Sequence, residues 1–142
     1  MLEVQFYKQV ADDKLKFAVI VAQSEGKWVF CRHEERATYE CPGGHREKGE
    51  SILDTARREL HEETGALDYS IKPICAYSVI GKNRVNETGK ETFGMLYYAD
   101  LKRFSRELCS EIEEVVLLDT LPVNWTYPEI QPKLLEKAVM EV

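Results

Sequence analysis

Short apolar runs separated by polar turns predict most of the β-strands of this chain. Residues 16–22 (KFAVIVA) and 27–33 (KWVFCRH) are rich in β-branched and aromatic residues, and the turn signal SEG lies between them, so they predict a hairpin. Pro73 predicts an irregularity or an edge position in its strand, because proline cannot donate a ladder hydrogen bond. Three further strands are predicted over 70–81, 91–101 and 114–119, with an exposed polar loop over 81–90.

Two helices are predicted from apolar spacing and capping signals. The first begins after Ser51, where Asp54 completes a variant of the capping box, and it ends at Gly65, a residue type that favours the left-handed C′ position. The second covers 128–142, with Pro128 near its first turn. Strands mixed with two helices predict an α/β sandwich with a mixed sheet. The expected core face of the first helix consists of Leu53, Ala56 and Leu60.

Length and charge narrow the range of possible functions. The 142 residues suffice for a single domain, 1–142, with a substantial core. Nineteen Lys and Arg against 25 Asp and Glu give a formal net charge of −6, which argues against a stable nucleic-acid complex and against binding to an anionic membrane. A small anionic substrate remains compatible with this charge, since a bound metal ion can invert it locally.

The N-terminus and the cysteines predict a cytoplasmic protein. The first residues lack both the basic and the apolar region of a secretory signal. The apolar run 17–22 is too short to span a membrane, so no membrane association is expected. Four scattered cysteines without a CxxC pair favour free thiols in a reducing compartment; they are Cys31, Cys41, Cys75 and Cys109.

Three acids crowd the end of the first predicted helix. Glu59, Glu62 and Glu63 fall within an arc of roughly 100° on one helix face. Like charges four residues apart destabilise a helix by roughly 0.2–0.5 kcal/mol, and acids in a last turn oppose the macrodipole. A solvated acidic face is the simplest interpretation of such a cluster. The alternative is a site for a hard divalent cation such as Mg²⁺, which prefers carboxylate oxygens and adds water and phosphate ligands.

The spacing of residues 44–66 resembles the Nudix box, G-x5-E-x7-R-E-U-x-E-E-x-G-U, in which U is a bulky aliphatic residue. The segment GHREKGESILDTARRELHEETGA matches all seven fixed letters, and Pro42-Gly43 before it resembles the P-G-G entry common in that family. Seven such matches have a chance probability on the order of 10⁻⁹ per window. Ala66, at a packing position, is the one departure. The resemblance implies a Nudix-type α/β/α sandwich with a mixed sheet, in which the box forms a loop-helix-loop motif.

The resemblance also implies a metal site and a reaction. By comparison with the family, Glu59, Glu62 and Glu63 hold Mg²⁺ or Mn²⁺, and the backbone carbonyl of Gly43 adds a further ligand. Family members hydrolyse nucleoside diphosphates linked to another group, with metal ions that neutralise phosphate oxygens and activate water. The expected partner of this chain is therefore a small nucleotide substrate.

Other catalytic roles follow from the same resemblance. Arg58 and Glu50 are implied to pair with each other and to orient the ligand acids. A further acid outside the box serves as ligand or base in many family members. The run CSEIEEVVLLD supplies the candidates, with Glu111 as the first choice and Glu114 as the second.

The Nudix box, the P-G-G entry before it and the length of the chain resemble those of the MutT-like branch of the family. Members of this branch cleave nucleoside triphosphates, oxidised or not, to monophosphate and pyrophosphate. In such enzymes an asparagine before the terminal helix can read a purine edge, which points to Asn124. Trp125 and Tyr127 are candidates for stacking on a base, although core packing is the commoner role for such aromatics. Other expected substrate contacts are Arg32, His33, Gly43 and Gly44, with Tyr39 and Cys41 as further residues of the pocket.

Two alternatives to a triphosphate pyrophosphohydrolase stay open at this point. One is an enzyme that removes pyrophosphate from RNA 5′ ends, against which the charge of −6 counts modestly. The other is a non-catalytic Nudix-fold module that only binds nucleotides. Such modules commonly lose acids of the box, whereas this chain keeps all of them, so an enzyme is favoured.

Overall fold

The computed structural model describes residues 2–82, 87–105 and 112–141. Within them the chain forms seven strands, two α-helices and one 3₁₀ turn, at Asp12–Lys14. The strands and helices, in chain order, are β1 Glu3–Tyr7, β2 Leu15–Ser24, β3 Lys27–His33, β4 Gly43–His45, α1 Ile52–Thr64, β5 Ala66–Ile80, β6 Thr92–Phe104, β7 Ile112–Leu118 and α2 Gln131–Glu141.

The strands form one mixed sheet in the order β1-β5-β6-β2-β3-β7, with β4 paired to β2 outside this path. The central pair, β2 with β6, is parallel, and every other pair of named strands is antiparallel. The predicted hairpin between β2 and β3 is present, and both residues of its turn, Glu25 and Gly26, have positive φ. The prediction of a mixed sheet is therefore confirmed.

Alternate residues of β2 supply the two halves of the core, one on each face of the sheet. Ala18, Ile20 and Ala22 pack with Ala56 and Leu60 of α1. The opposite face carries Val21 together with residues of α2, among them Leu134, Leu135 and Ala138. Successive side chains of a strand point to opposite faces of the sheet, so the two groups of β2 residues lie on different faces. One helix on each face gives the α/β/α sandwich that the sequence predicted.

The sheet opens between β2 and β3, and this opening positions the site. β3 pairs with the last residues of β2, at Ala22, Gln23 and Ser24, whereas β4 pairs with the earlier positions Phe17, Ala18 and Val19. The segment before β4 bridges to β3 through Cys31 and Glu40. The glycine pair that opens the box therefore lies against the central strand.

The ends of α1 follow the predicted capping. The Ser51 side chain accepts a hydrogen bond from the Asp54 amide and the Asp54 carboxylate accepts one from the Ser51 amide, which completes the capping box. Gly65 has φ of 77° and ψ of 12° in the left-handed region. The predicted core face was wrong at Leu53, which is 39% exposed. Ile52 packs on the core in its place, because it lies four residues before Ala56 on the same side of the helix.

Several boundaries differ from the prediction. β1 and β4 were not predicted as strands, β5 begins at Ala66 rather than at 70, and α2 begins at Gln131 rather than at 128. The irregularity expected at Pro73 is present as a register shift between Pro73 and Cys75, beyond the part of β5 that pairs with β1. Among the described helices, none is long and apolar enough to cross a membrane.

Candidate active site

The Gly43–Gly44 pair lies between the central strand and the acidic face of α1. A Cβ at Gly44 would overlap the carboxylate of Glu59, and a Cβ at Gly43 would overlap the carbonyl oxygen of Ala18. The register pairs Gly43 with Val19, between the hydrogen-bonded positions on either side. Its amide and carbonyl therefore both point away from β2. Only glycine fits at these two positions, because the backbone runs directly beside the acids.

Glu63 is the buried member of the acid cluster. Its Oε1 accepts a hydrogen bond from the Gly43 amide at 2.7 Å, and its Oε2 lies 3.1 Å from His33 Nε2. Burial raises the pKa of Glu63, although the hydrogen bonds from His33 and Gly43 act to lower it. The hydrogen bond to Glu63 in turn raises the pKa of His33. The structure thus brings the predicted residue His33 directly against a predicted metal ligand.

Glu59 lies beside Glu63, and the positive charge of Arg58 does not offset the effects of burial and of the neighbouring acids on its pKa. Burial and, after it, the charge of Glu63 raise the pKa of Glu59 to about 7, although Arg58 at 3.5 Å acts to lower it. Glu62 also adds to the repulsion, and its side chain is 41% exposed. A group of carboxylates arranged in this way leaves a local excess of negative charge that a cation would relieve.

Arg58 and Glu50 form the pair that the resemblance implied. Arg58 Nε donates to Glu50 Oε2 at 2.7 Å and Nη2 donates to Glu50 Oε1 at 3.1 Å. The same Nη2 donates to the carbonyl of His45 at 3.0 Å, and Nη1 reaches Glu62 at 3.4 Å. The hydrogen bonds from Arg58 lower the pKa of Glu50 to about 2. This guanidinium therefore links the loop before α1, strand β4 and the acids of α1.

The donor chemistry of the cluster fits a hard divalent cation. All the candidate ligands are carboxylate or backbone oxygens, the donors that Mg²⁺ prefers. Within the described part of the chain, however, no three His, Cys, Asp or Glu side chains converge tightly enough to form a complete cage. Glu63 is instead held by His33 and Gly43. An incomplete cage suits Mg²⁺, because this ion usually keeps several waters and takes phosphate oxygens from a substrate.

Two further residues predicted for the site, Arg32 and Glu114, lie against each other on neighbouring strands. Arg32 contacts Glu114, with Nε at 3.4 Å from Oε1, and donates to the carbonyl of Arg36 at 3.1 Å. Tyr39 also donates to Glu114, at 3.2 Å. Glu114 is thus engaged in an interaction between β3 and β7. Glu111, the first choice for the additional acid, lies outside the described residues.

A cavity of about 140 Å³ lies on the other side of the glycine pair, on the sheet face that carries α2. Gly43 and Gly44 line it, so it is continuous with the segment that contacts the acids. Its volume is below the roughly 300–1,000 Å³ of sites that enclose a whole drug-sized ligand. Part of a nucleotide, such as its base, would fit. The other lining residues include Phe17, Glu40, Cys41, Tyr77, Tyr127 and Gln131.

Asn124 and Trp125, two predicted substrate contacts, are not among the residues that line this cavity. Asn124 is exposed, and its Nδ2 donates to the carbonyl of Ala37 at 2.7 Å. Trp125 packs edge-on against Phe30 with ring centroids 5.3 Å apart. The structure brings Cys41 and Tyr127 to the cavity, whereas a substrate role for Asn124 and Trp125 stays a prediction.

Two polar residues of the cavity were missed by sequence reasoning. Glu40 and Gln131 are buried, with 6% and 4% of their surface exposed. Glu40 lies before the P-G-G entry, and Gln131 is the first residue of α2, 91 positions further along the chain. Burial of charged and amide side chains is uncommon without a specific partner. No spacing in the sequence joins these positions, so only the folded chain shows that both lie at the cavity.

Comparison with known proteins agrees with this geometry. The NUDIX domain model matches residues 13–137. The Bacillus subtilis (strain 168) protein named "Putative 8-oxo-dGTP diphosphatase YtkD" is 33% identical over 124 residues, which cover 87% of this chain and 74% of that protein. The crystal structure of a mutant of the Bacillus subtilis pyrophosphohydrolase BsRppH aligns with a TM-score of 0.78 at 28% identity, over 98% of this chain and 90% of that chain.

A more distant likeness extends to the NUDIX domain of Shewanella oneidensis NrtR, whose cocrystal structure contains ADP ribose. It aligns with a TM-score of 0.65 at 16% identity, over 89% of this chain and 87% of that one, and it supports the fold alone. The family model covers most of the chain, and the fold, the box and the arrangement of the acids agree with it. The chain therefore belongs to the NUDIX family, and it is a Nudix hydrolase that acts on phosphoric anhydride bonds.

Proposed function

We propose that this protein hydrolyses a purine nucleoside triphosphate, oxidised or not, to the monophosphate and pyrophosphate, with Mg²⁺ or Mn²⁺ as cofactor. One observation carries the proposal. The carboxylates of α1 and a base-sized cavity lie on opposite sides of the same two glycines, Gly43 and Gly44. A nucleotide that lies across these glycines would have its base in the cavity and its phosphates beside the acids.

The side chains around the acids have distinct tasks in this proposal. Glu59, Glu62 and Glu63 would hold the metal ion, which when bound supplies charge neutralisation and water activation. Arg58 keeps the acids in place through its contacts with Glu50 and Glu62. His33 holds the Glu63 carboxylate from the side of β3. These fixed contacts reduce the reorganisation that the site must undergo when the substrate binds.

The named relatives support the same class of substrate. YtkD is named for 8-oxo-dGTP, a purine triphosphate, and BsRppH is described as a pyrophosphohydrolase. Arg32 lies at the end of β3, next to His33, and is the proposed contact for the distal phosphates. Glu111, or Glu114 in its place, is the proposed additional acid. Neither assignment is needed for the choice of substrate class.

The decisive experiment is a substrate panel with the full chain and Mg²⁺. The panel contains the four ribonucleoside and four deoxyribonucleoside triphosphates, 8-oxo-dGTP, ADP-ribose and a short RNA with a 5′ triphosphate. Phosphate and pyrophosphate release are scored separately, since their ratio reports which phosphorus is attacked. We expect kcat/KM to be highest for a purine triphosphate, with pyrophosphate as the product.

Two outcomes would contradict the proposal. A kcat/KM for ADP-ribose above that for every triphosphate would overturn the substrate class. A preference for the 5′-triphosphate RNA over all the mononucleotides would favour the RNA 5′-end alternative. A Glu63→Gln variant serves as the blank, because turnover that survives this change would come from a contaminating phosphatase.

A further inference from the structure

Arg46, just after β4, connects the loop before α1 to a distant part of the chain. Its Nε donates to the carbonyl of Glu50 at 2.8 Å. Its Nη1 donates to the carbonyls of Asp12 at 2.9 Å and Leu15 at 3.3 Å, and its Nη2 donates to the Asp12 carboxylate at 3.0 Å. A planar guanidinium holds several acceptors in fixed directions. The loop is thereby tied to the 3₁₀ turn and to the first residue of β2.

The carbonyl of Glu50 lies at the last position of this loop. Glu50 precedes Ser51, the N-cap of α1, so its carbonyl takes no part in the hydrogen bonding of the helix. Gly49 has a positive φ of 87°, and the Glu50 amide donates to the carbonyl of Glu47 at 3.1 Å. The bond from Arg46 Nε therefore closes a tight loop at the residue that leads into the helix.

Two different arginines hold Glu50, one at each end of the residue. Arg46 binds its carbonyl at 2.8 Å, and Arg58 Nε donates to its carboxylate at 2.7 Å. Arg58 in turn lies 3.5 Å from Glu59 and 3.4 Å from Glu62. A path of direct contacts therefore leads from Arg46 through Glu50 and Arg58 to the acids of α1.

The contacts of Arg46 differ in importance. The carboxylate of Asp12 is 72% exposed, and exposed ion pairs contribute little because water and salt screen them. The backbone carbonyls are fixed by the fold, so they set the direction of the guanidinium. The bond to the Glu50 carbonyl is the contact that reaches the acid cluster.

We propose that Arg46 is a positioning residue of this hydrolase, whose bond to the Glu50 carbonyl fixes Glu50 and, through Arg58, the acids of α1. The role of these acids as metal ligands belongs to the proposed function, on which this inference rests. Arg46 occupies one of the five unspecified positions between Gly44 and Glu50 of the box. It is not among the residues that line the cavity, so it acts on the acids and not on the base of the nucleotide.

Two substitutions at position 46 separate this role from general stabilisation. Arg46→Ala removes all side-chain contacts, and we expect kcat at saturating Mg²⁺ to fall by about 10- to 100-fold while KM for the nucleotide stays within about twofold. Arg46→Gln keeps the important donor, because Nε2 of glutamine lies as many bonds from the backbone as Nε of arginine. Its kcat should remain within about threefold of the wild type, although the lost contacts to Asp12 and Leu15 lower the unfolding midpoint.

A purely structural role predicts a different pattern, in which kcat follows stability and Arg46→Gln is as impaired as Arg46→Ala. Ser24→Ala is the stability control: Ser24, the last residue of β2, loses a hydrogen bond of 2.8 Å to the Leu101 carbonyl. It should lower the unfolding midpoint without changing kcat. Arg57→Ala is the matched arginine control, because Arg57 is exposed on α1 and contacts the Tyr69 hydroxyl at 3.4 Å. It should keep wild-type kinetics.

A double-mutant cycle tests the path through Glu50. Glu50→Ala keeps the carbonyl that Arg46 holds but removes the carboxylate that Arg58 binds. Adding Arg46→Ala to this variant should therefore lower kcat by less than about threefold further. Asp12→Ala alone should also cost less than about threefold, because its carboxylate is exposed.

Binding of Mn²⁺ to the nucleotide-free protein gives a measurement that does not depend on turnover. The electron paramagnetic resonance signal of the free ion reports the bound fraction. Arg46→Ala should weaken Mn²⁺ binding by about tenfold, whereas Arg46→Gln should bind nearly as the wild type does. The kinetics use the substrate of the panel that the wild-type protein cleaves best, so an error in the proposed substrate class leaves this test intact.

Several outcomes would overturn the inference. They are kcat and Mn²⁺ binding of Arg46→Ala within twofold of the wild type, equal impairment of Arg46→Ala and Arg46→Gln, and full additivity of Arg46→Ala with Glu50→Ala. A rise in nucleotide KM larger than the fall in kcat would overturn it as well. A wild-type protein that binds no Mn²⁺ would remove the metal assignment and this role together.

Discussion

The glycine at position 44 gives the sharpest test of how closely the backbone approaches the acids. We expect Gly44→Ala to remove most of the activity while the fold survives. The new methyl group would overlap the Glu59 carboxylate, and the φ of Gly44 lies outside the left-handed region, so alanine itself is compatible with the backbone. The expected effects are therefore steric: displacement of one acid and local overpacking, without backbone strain.

The magnitude follows from the distance that Glu59 must move. Unbonded carbon and oxygen atoms rest at about 3.3–3.6 Å from one another, so the carboxylate has to shift by more than about 1 Å. A displacement of about 1 Å at an active site can reduce the rate roughly 10²-fold. Overpacking of this kind usually lowers the free energy of unfolding by about 1–3 kcal/mol. A domain of this size should tolerate that loss and remain folded.

The assay is steady-state kinetics at increasing Mg²⁺, together with urea unfolding. Gly26→Ala is the control: a Cβ there meets nothing within 4 Å, so activity should remain normal although its φ of 79° costs some stability. In the Gly44→Ala background, Glu59→Asp should be less harmful than in the wild type, because the shorter side chain avoids the methyl group. Turnover of Gly44→Ala within twofold of the wild type would refute the reasoning.

Three further outcomes are expected. Glu62→Gln should abolish most turnover while stability stays constant or rises, since it removes a ligand charge and also relieves repulsion on α1; near-normal turnover at saturating Mg²⁺ would contradict its role as a ligand. Exhaustive chelation should stop the reaction and Mg²⁺ or Mn²⁺, not Zn²⁺, should restore it; full activity in the chelated protein would exclude the metal. Gly65→Ala should lower the free energy of unfolding by roughly 1 kcal/mol, because φ is 77° and the new Cβ would lie 3.0 Å from the carbonyl oxygen of Ser105. Urea titration measures this loss, and an unchanged unfolding midpoint would argue against strain at this position.

The features that sequence alone predicted are those with local physical causes. Helix α1 was predicted with its caps because Ser51, Asp54 and Gly65 act on backbone groups within a few residues of themselves. The strands β2 and β3 were predicted for a similar reason, since their composition and turn are contiguous. The arc of the three acids follows from helix geometry alone.

The features that were missed depend on contacts between distant segments. β4 has only three residues, and it is a strand because β2 lies beside it. β1 is short and pairs with β5, whose partner residues lie 69 to 77 positions further along the chain. Leu53 was misassigned because one apolar residue on the rim of a helix face cannot be distinguished from one at its centre. Gln131 reaches the Cys41 amide, and with it the cavity beside the glycine pair, only through the packing of α2 on the sheet.

The placement of the acids and the cavity on opposite sides of two glycines has a consequence for how such an enzyme can change over time. Substitutions at Gln131, on α2, alter the wall of the cavity at a distance from α1, whose acids contact the other side of the glycine pair. In the binding mode proposed above, base preference can therefore drift from one lineage to another while bond cleavage is conserved. The same separation makes the cavity a practical starting point for engineering a new nucleotide specificity by substitution of α2 alone.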